Sequence, residues 1–330
     1  MTDQGQPVPT VRFEQVTKVY EQRQSLFGRR GADVKALNGV SFQVFPGEIF
    51  SLVGESGSGK TTCGRILVRL EEPTTGGVFF DGHEIRNLRG RAVRSFRRQM
   101  QMIFQDPYQS LNPQLTIFQT VVEPLVVQRL DDHLSREEKV RRVLEEVGLK
   151  PAVDFLFRYP HQLSGGQRQR VAVARALILD PRFIVADEPV SMLDASIQAQ
   201  LLNMLLDLRE RRSLTLLFIT HDLATARYVS DRIAVVYNGK IMEKGPVEQI
   251  IQHPLHPYTR TLIQAVPSLK RRKEDLPSAA CPVDMYFKPP EHGCPFAQRC
   301  PQCSSECLKE EMPLQEVQKD HHVACILHYG

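Results

Sequence analysis

Apolar residues fall along this chain in two rhythms. Up to about residue 80 they come in short runs, Val11 to Val16, Val40 to Val44, Ile49 to Val53 and Val78 to Phe80, which predict β-strands. Turn signals separate them at Asn38-Gly39, Pro46-Gly47, Thr75-Gly76-Gly77 and Asp81-Gly82. The polar, glycine-bearing stretch from Arg23 to Asp33 predicts a hairpin loop. From about 115 to 180 the pattern is helical, with Ser135-Arg136-Glu137-Glu138 offering an N-terminal cap. Three later runs, Phe183 to Ala186, Leu216 to Thr220 and Ile233 to Tyr237, are apolar in the manner of strands covered on both faces. Between the first two, Ala195 to Arg212 carries apolar residues at helical spacing. Strand and helix in alternation predict an open α/β sheet. Beyond about residue 250 proline, histidine and cysteine rise and the periodicity is lost, which predicts a separate appendage.

Composition narrows the class. The 330 residues, 42% hydrophobic and 24% charged, suffice for one large globular domain or two. No run approaches the ~18 apolar residues that a membrane span needs. The polar start MTDQGQPVPT lacks the apolar centre of a secretory signal, so the expectation is a chain that stays in the cytosol. A net charge of +4 is too weak to argue for nucleic acid. Six arginines between Arg86 and Arg98 fit either a solvated helical face or a patch for phosphate or an acidic partner. Lys270-Arg271-Arg272-Lys273 reads as a linker.

The chemistry begins at Gly54-Glu55-Ser56-Gly57-Ser58-Gly59-Lys60-Thr61-Thr62, a G-x-x-x-x-G-K-[ST] loop between a predicted strand and a predicted helix start. Its glycines let successive backbone amides face one concavity, and the following helix adds the positive end of its dipole. In such a loop Lys60 reaches the terminal phosphates and Thr61 offers its hydroxyl to Mg²⁺. Phe183 to Ala186 ends in Asp187-Glu188. Asp187, at the strand's C-terminal end, is placed to hold Mg²⁺, and Glu188 to polarise an attacking water as general base. A plain acidic surface pair is the alternative.

Seven cysteines are unevenly placed. Cys63 stands alone on the helix after the loop and is expected to be a packing residue. The other six lie between Cys281 and Cys325, and clustered cysteines in a cytosolic chain point to metal rather than disulfides. Cys294-x5-Cys300-x6-Cys307, with Cys325, supplies four thiolates. Four soft ligands suit tetrahedral Zn²⁺ or a [4Fe–4S] cluster, and Cys300-x2-Cys303 adds a zinc-like pair. Spacing alone leaves zinc, cluster and buried free thiols open.

Leu163-Ser164-Gly165-Gly166-Gln167 is similar to the signature motif of the ATP-binding cassette (ABC) ATPases, and the chain resembles that family over nearly its full length. The resemblance implies a phosphate-loop (RecA-like) α/β nucleotide-binding domain over 1–250, with an antiparallel β subdomain and a helical subdomain at about 106–180. It implies a small Cys-rich extension over 251–330. It implies that Tyr20 stacks on adenine, and that Gly54, Ser56, Gly57, Ser58, Gly59, Lys60, Thr61 and Thr62 hold the phosphates. Gln105 would touch Mg²⁺ and water and sense the membrane partner. Ser164, Gly165, Gly166 and Gln167 would bind ATP held by the opposite subunit of a head-to-tail dimer. Ser191 to Asp194 would couple the two sites, and His221 would contact the γ-phosphate.

The tail sequences His256-Pro257-Tyr258-Thr259, Gly293-Cys294-Pro295-Phe296 and Arg299-Cys300-Pro301 resemble those of ATPases from dipeptide, oligopeptide and nickel importers. So do Gln105-Asp106-Pro107 and Ser110-Leu111-Asn112-Pro113. That resemblance implies a [4Fe–4S] cluster on Cys294, Cys300, Cys307 and Cys325, although the extra Cys303 and the stretch Cys281 to Pro290 depart from the group's pattern. The expected function is ATP hydrolysis that powers peptide uptake, at the cytoplasmic face of the cell membrane. The expected partners are a homologous, non-identical second ATPase, two membrane permease subunits and an external solute-binding protein. Nickel or another small solute is the alternative cargo. A soluble cassette protein acting on ribosomes or nucleic acid fits poorly with one cassette and a Cys-rich tail, and a redox enzyme would need electron-carrier motifs that are not visible.

Overall fold

The apolar runs fold into two sheets joined by helices. The computed structural model describes residues 8–21, 33–265 and 293–329. In chain order the first strands are β1 (Val11–Tyr20), β2 (Val34–Val44), β3 (Ile49–Val53), β4 (Thr75–Phe80), β5 (His83–Glu84) and β6 (Met100–Ile103). They are followed by β7 (Phe183–Asp187), β8 (Thr215–Thr220), β9 (Arg232–Tyr237), β10 (Lys240–Pro246), β11 (Gln315–Gln318) and β12 (His321–Val323). An antiparallel sheet has the order β2-β1-β4-β5, and the main sheet β11-β12-β10-β9-β3-β8-β7-β6. From β9 to β6 the main sheet is parallel, whereas β10, β12 and β11 continue it antiparallel.

Every residue of β3, β7 and β8 is buried, which accounts for their unbroken apolar sequence. Alternate side chains feed opposite cores. Ile184 and Ala186 join a cluster with the helices Ile117–Gln128, His133–Glu146 and Gly165–Leu177. Phe183 and Val185 join one that includes Phe13 and Phe42 of the antiparallel sheet and Ile66 of the helix Lys60–Leu67. Phe13, Phe42 and Phe50 stack in series, with centroids 4.4 and 5.3 Å apart, and tie the two sheets together.

The middle block is helical, but its cap differs from expectation. Asp132, not Ser135, caps His133–Glu146, its carboxylate accepting from the Ser135 amide. The sequence also hid β6: it is four residues long and follows an arginine-rich helix, Arg91–Gln99, that buries Phe96. All six arginines of that region are exposed, as both a solvated face and a patch for an acidic partner require. Cys63 is fully buried, and burial pushes its thiol up to about 12, as befits a packing residue.

The tail is joined to the core. Glu243 pairs with Val323 and Lys244 with His322, so β12 and then β11 cover the edge that β10 would otherwise present to solvent. Beneath them lies a polar knot centred on the buried Glu243 and His321. The Glu243 carboxylate accepts from His321 Nε2 at 2.7 Å and from the amides of Leu255 and His256, each at 2.9 Å. The hairpin loop predicted at Arg23 to Asp33, the run Lys270 to Lys273 and the stretch Cys281 to Pro290 lie outside the described residues, apart from Asp33. No described helix is long and apolar enough to cross a membrane.

Candidate active site

Open parallel sheets bind ligands beyond the carboxyl ends of their strands. Here the register aligns those ends. Val53 pairs with Thr220, Ile219 with Asp187, and Ala186 with Ile103. The segments that begin at Gly54, His221, Glu188 and Phe104 therefore leave the sheet along one edge.

The phosphate loop is braced from behind. A Cβ on Gly54 would lie 2.0 Å from the Val236 carbonyl oxygen, so strand and loop approach as only glycine permits. Gly59 has φ of +102°, and a Cβ there would lie 2.4 Å from the Ala36 carbonyl oxygen. The Gly239 amide donates to Ser58 O at 2.9 Å. Gly59→Ala combines a collision with backbone and a disfavoured φ, for a cost of at least about 2 kcal/mol. It is expected to lower the melting temperature and to weaken nucleotide binding more than tenfold; a titration that matched the wild type would contradict the rigid-loop account.

Lys60 opens its helix with its side chain curled over the loop, Nζ donating to the carbonyls of Gly54 and Glu55, both at 2.8 Å. Burial lowers its pKa, and Glu188 and Asp187 pull it back up. Thr61 Oγ1 donates to Asp187 Oδ1 at 3.0 Å. Burial raises the Asp187 pKa, so its carboxylate is placed to gain from a nearby cation. Ser56 and Gly57 are exposed at the rim, and Ser58 is buried. Glu188 is held from two sides: Gln105 Nε2 donates to its Oε2 at 3.0 Å, and His221 Nδ1 lies 3.2 Å from the same oxygen. Its φ is +44°, left-handed for a non-glycine residue.

Tyr20 ends β1 with its hydroxyl bonded to Glu71 and the Lys18 ammonium 5.0 Å from its ring centre. Burial, then that bond, raises its pKa, so the phenol stays neutral. The ring is partly exposed and its polar end is fixed, which suits stacking against a flat ligand.

The signature stands apart from this constellation. Ser164 caps the helix Gly165–Leu177 in a reciprocal box with Gln167: Ser164 Oγ accepts from the Gln167 amide, and Gln167 Oε1 from the Ser164 amide at 3.0 Å. Gly165 and Gly166 lie beside Leu193 and Ile197. Asp194 is the N-cap residue of the helix Ala195–Arg212, without a side-chain capping bond. Among the described residues, none of these five bonds to the phosphate loop. The structure thus brings Gly54 to Thr62, Gln105, Asp187, Glu188 and His221 together and leaves Ser164 to Gln167 and Asp194 on a second surface.

The expectation of a [4Fe–4S] cluster, or of Zn²⁺ in its place, is overturned. Among the described residues no group of three or more His, Cys, Asp or Glu could hold a metal ion. Cys294, Cys300, Cys307 and Cys325 line a small apolar cavity with about 10 Å³ of free space, room for about one water. Burial pushes the Cys294 thiol up to about 11 and raises those of Cys300 and Cys325. Cys303 is exposed, and Cys281 lies outside the described residues.

Sequence reasoning missed two contacts at the loop and one at Tyr20. Arg299 grips the Glu55 carboxylate with both terminal nitrogens at 3.0 Å, and the Glu55 amide donates to Tyr258 Oη at 3.1 Å. Glu71, which orients Tyr20, lies 51 positions away from it. The pairs are so distant in sequence that no local pattern reports them.

Comparison with known proteins agrees with this geometry. Residues 37–191 match the ABC transporter family, and residues 242–307 match the family described as the oligopeptide/dipeptide transporter C-terminal region. The oligopeptide transport ATP-binding protein AppF of Bacillus subtilis is 44% identical, covering 96% of this chain and 97% of its own. The di/tripeptide transport ATP-binding protein DppF of Pseudomonas aeruginosa is 42% identical, over 94% of this chain and 95% of its own. Among solved structures, a dimeric post-hydrolysis state of an ATP-binding cassette bound to ADP and Pi superposes with a TM-score of 0.63. It is 31% identical and covers 72% of this chain and 98% of its own. The RecA-like cassette fold, with its antiparallel and helical parts, is therefore shared, and with it the ATP-hydrolysing activity. The chain belongs to the ATP-hydrolysing subunits of ABC transporters, in the oligopeptide/dipeptide importer family.

Proposed function

We propose that this subunit powers the import of oligopeptides or dipeptides from the cytoplasmic face of a membrane. The tail match and the names of the relatives support that cargo. Residues 1–250 form the ATPase unit and 251–330 an importer-type extension. In the cycle, the amides from Gly57 to Thr62 and the Lys60 ammonium grip the phosphates, and Tyr20 stacks on adenine. Ser164, Gly165, Gly166 and Gln167 complete the site of a facing, related ATPase, and Asp194 lies beside that junction. The Ser110-Leu111-Asn112-Pro113 stretch favours the second ATPase of a non-identical pair. Two permease subunits and a solute-binding protein complete the machine.

The observation that carries the catalytic assignment is the Glu188 carboxylate held between Gln105 and His221, one residue beyond Asp187. Glu188 accepts the proton of the attacking water, and His221 and Lys60 oppose the charge that grows on the phosphate oxygens. Thr61 and Asp187, with Gln105 nearby, are hard oxygen donors that fit Mg²⁺, which when bound neutralises phosphate charge. The test is reconstitution with the permease subunits and the binding protein in sealed vesicles. ATP-driven uptake of a labelled oligopeptide is expected, and Lys60→Ala should abolish it. Hydrolysis that no peptide-loaded binding protein stimulates would remove the cargo assignment.

A further inference from the structure

The tail reaches back to the nucleotide. Glu55 is the second residue of the phosphate loop, yet among the described residues its carboxylate has no hydrogen bond to the cassette core. Arg299, 244 positions later, does so in a two-pronged bond. The guanidinium is itself pre-set: its carbon lies 5.6 Å from the ring centres of both Tyr237 and Phe296, and Nη1 also donates to Tyr237 Oη at 3.2 Å. A second tie runs through the backbone. The buried Tyr258 accepts from the Glu55 amide, packs 4.6 Å from the Tyr237 ring, and donates its own amide to His256 Nδ1 at 3.0 Å. His256 is anchored in turn by Glu243.

We propose that Arg299, seconded by Tyr258, is a positioning residue of the ATPase site: by clamping Glu55 it holds the phosphate loop in its nucleotide-binding form. The proposal rests on the reading of residues 54–62 as the phosphate cradle. The loop needs such a brace because its amides must converge on one anion, and any freedom left in residues 55–57 is lost on binding and subtracts from affinity. A planar fork fixes both oxygens of a carboxylate, which a lysine cannot do. The pair is partly exposed, with side chains 33% and 43% accessible, so its direct contribution to folding is small and its effect falls on loop geometry.

A double-mutant cycle on the assembled transporter tests this. Arg299→Ala and Glu55→Ala are each expected to raise the KM for ATP about fivefold to twentyfold, with kcat within about twofold. The double variant should be no worse than either single one, because both remove the same brace. Arg299→Lys should recover less than half of the loss, and it carries the cycle if the alanine variant does not assemble. Additive effects, a KM unchanged in Arg299→Ala, or equal falls in kcat and melting temperature at constant KM would overturn the proposal. Lys60→Ala run alongside separates the cases. If it too leaves ATP binding unaltered, the cradle reading fails; if it abolishes binding while Arg299→Ala does not, only the clamp fails.

Discussion

Glu188→Gln should lower the turnover of ATP by about two to four powers of ten, the range that a positioned general base supplies. The exchange keeps shape and removes charge. An amide in place of the carboxylate still offers an oxygen to Gln105 Nε2, now 3.0 Å away, but it cannot take the proton of a water. Binding should survive, with the affinity for ATP within about threefold of the wild type, since the proposed phosphate grip lies in the backbone amides and Lys60 rather than in Glu188. His221 stands 3.2 Å from the same oxygen and is more exposed, so His221→Ala leaves the base in place and should cost less. Single-turnover hydrolysis and nucleotide titration on the assembled transporter separate the two effects. Turnover within about threefold of the wild type would reassign the base.

The second large effect concerns stability, at Glu243. Glu243→Ala strips the acceptor from His321 Nε2 and from two amides, around a carboxylate that is itself fully buried. Each buried donor left without a partner costs about 1–3 kcal/mol, and three lose theirs here. We expect a loss of about 3–5 kcal/mol, a fall in melting temperature on the order of 10 °C, and faster amide exchange at Leu255 and His256. Glu243→Gln retains one acceptor and should lose less. The exposed pair Asp207 and Arg211, at 3.7 Å with side chains 64% and 72% accessible, provides the contrast: Asp207→Ala should change stability by less than about 0.5 kcal/mol. Similar losses at the two sites would refute the account of the buried knot.

Where the sequence was informative, it was so because one local rule dominated. β3, β7 and β8 read correctly because strands covered on both faces must be apolar at every position. The tight turn after β3 was legible because only glycine tolerates the approaches found at Gly54 and Gly59. The ordered resemblances at Gln105, Asp187, Glu188 and His221 acquired meaning only from the register that aligns four strand ends. The failures were of two kinds, weak local signals and long-range contacts. The cap at Asp132 was overlooked because Ser135 fitted a stronger pattern, and β6 because four residues beside an arginine-rich helix carry no period. The cysteine spacing suited a metal, whereas the fold gives those thiols a small apolar cavity. The Glu55–Arg299 clamp and the Glu243–His321 knot join residues far apart in sequence, and single charged residues do not announce their partners.

Glu188 occupies a backbone conformation that glycine would adopt freely and that burdens a glutamate by about 1–3 kcal/mol. On the reading of Glu188 as general base, a search for hardier variants of this enzyme, scored by heat resistance alone, would therefore be drawn toward replacing a catalytic side chain. Thermal robustness and turnover pull in opposite directions at this single position, so any screen for the former must count phosphate released.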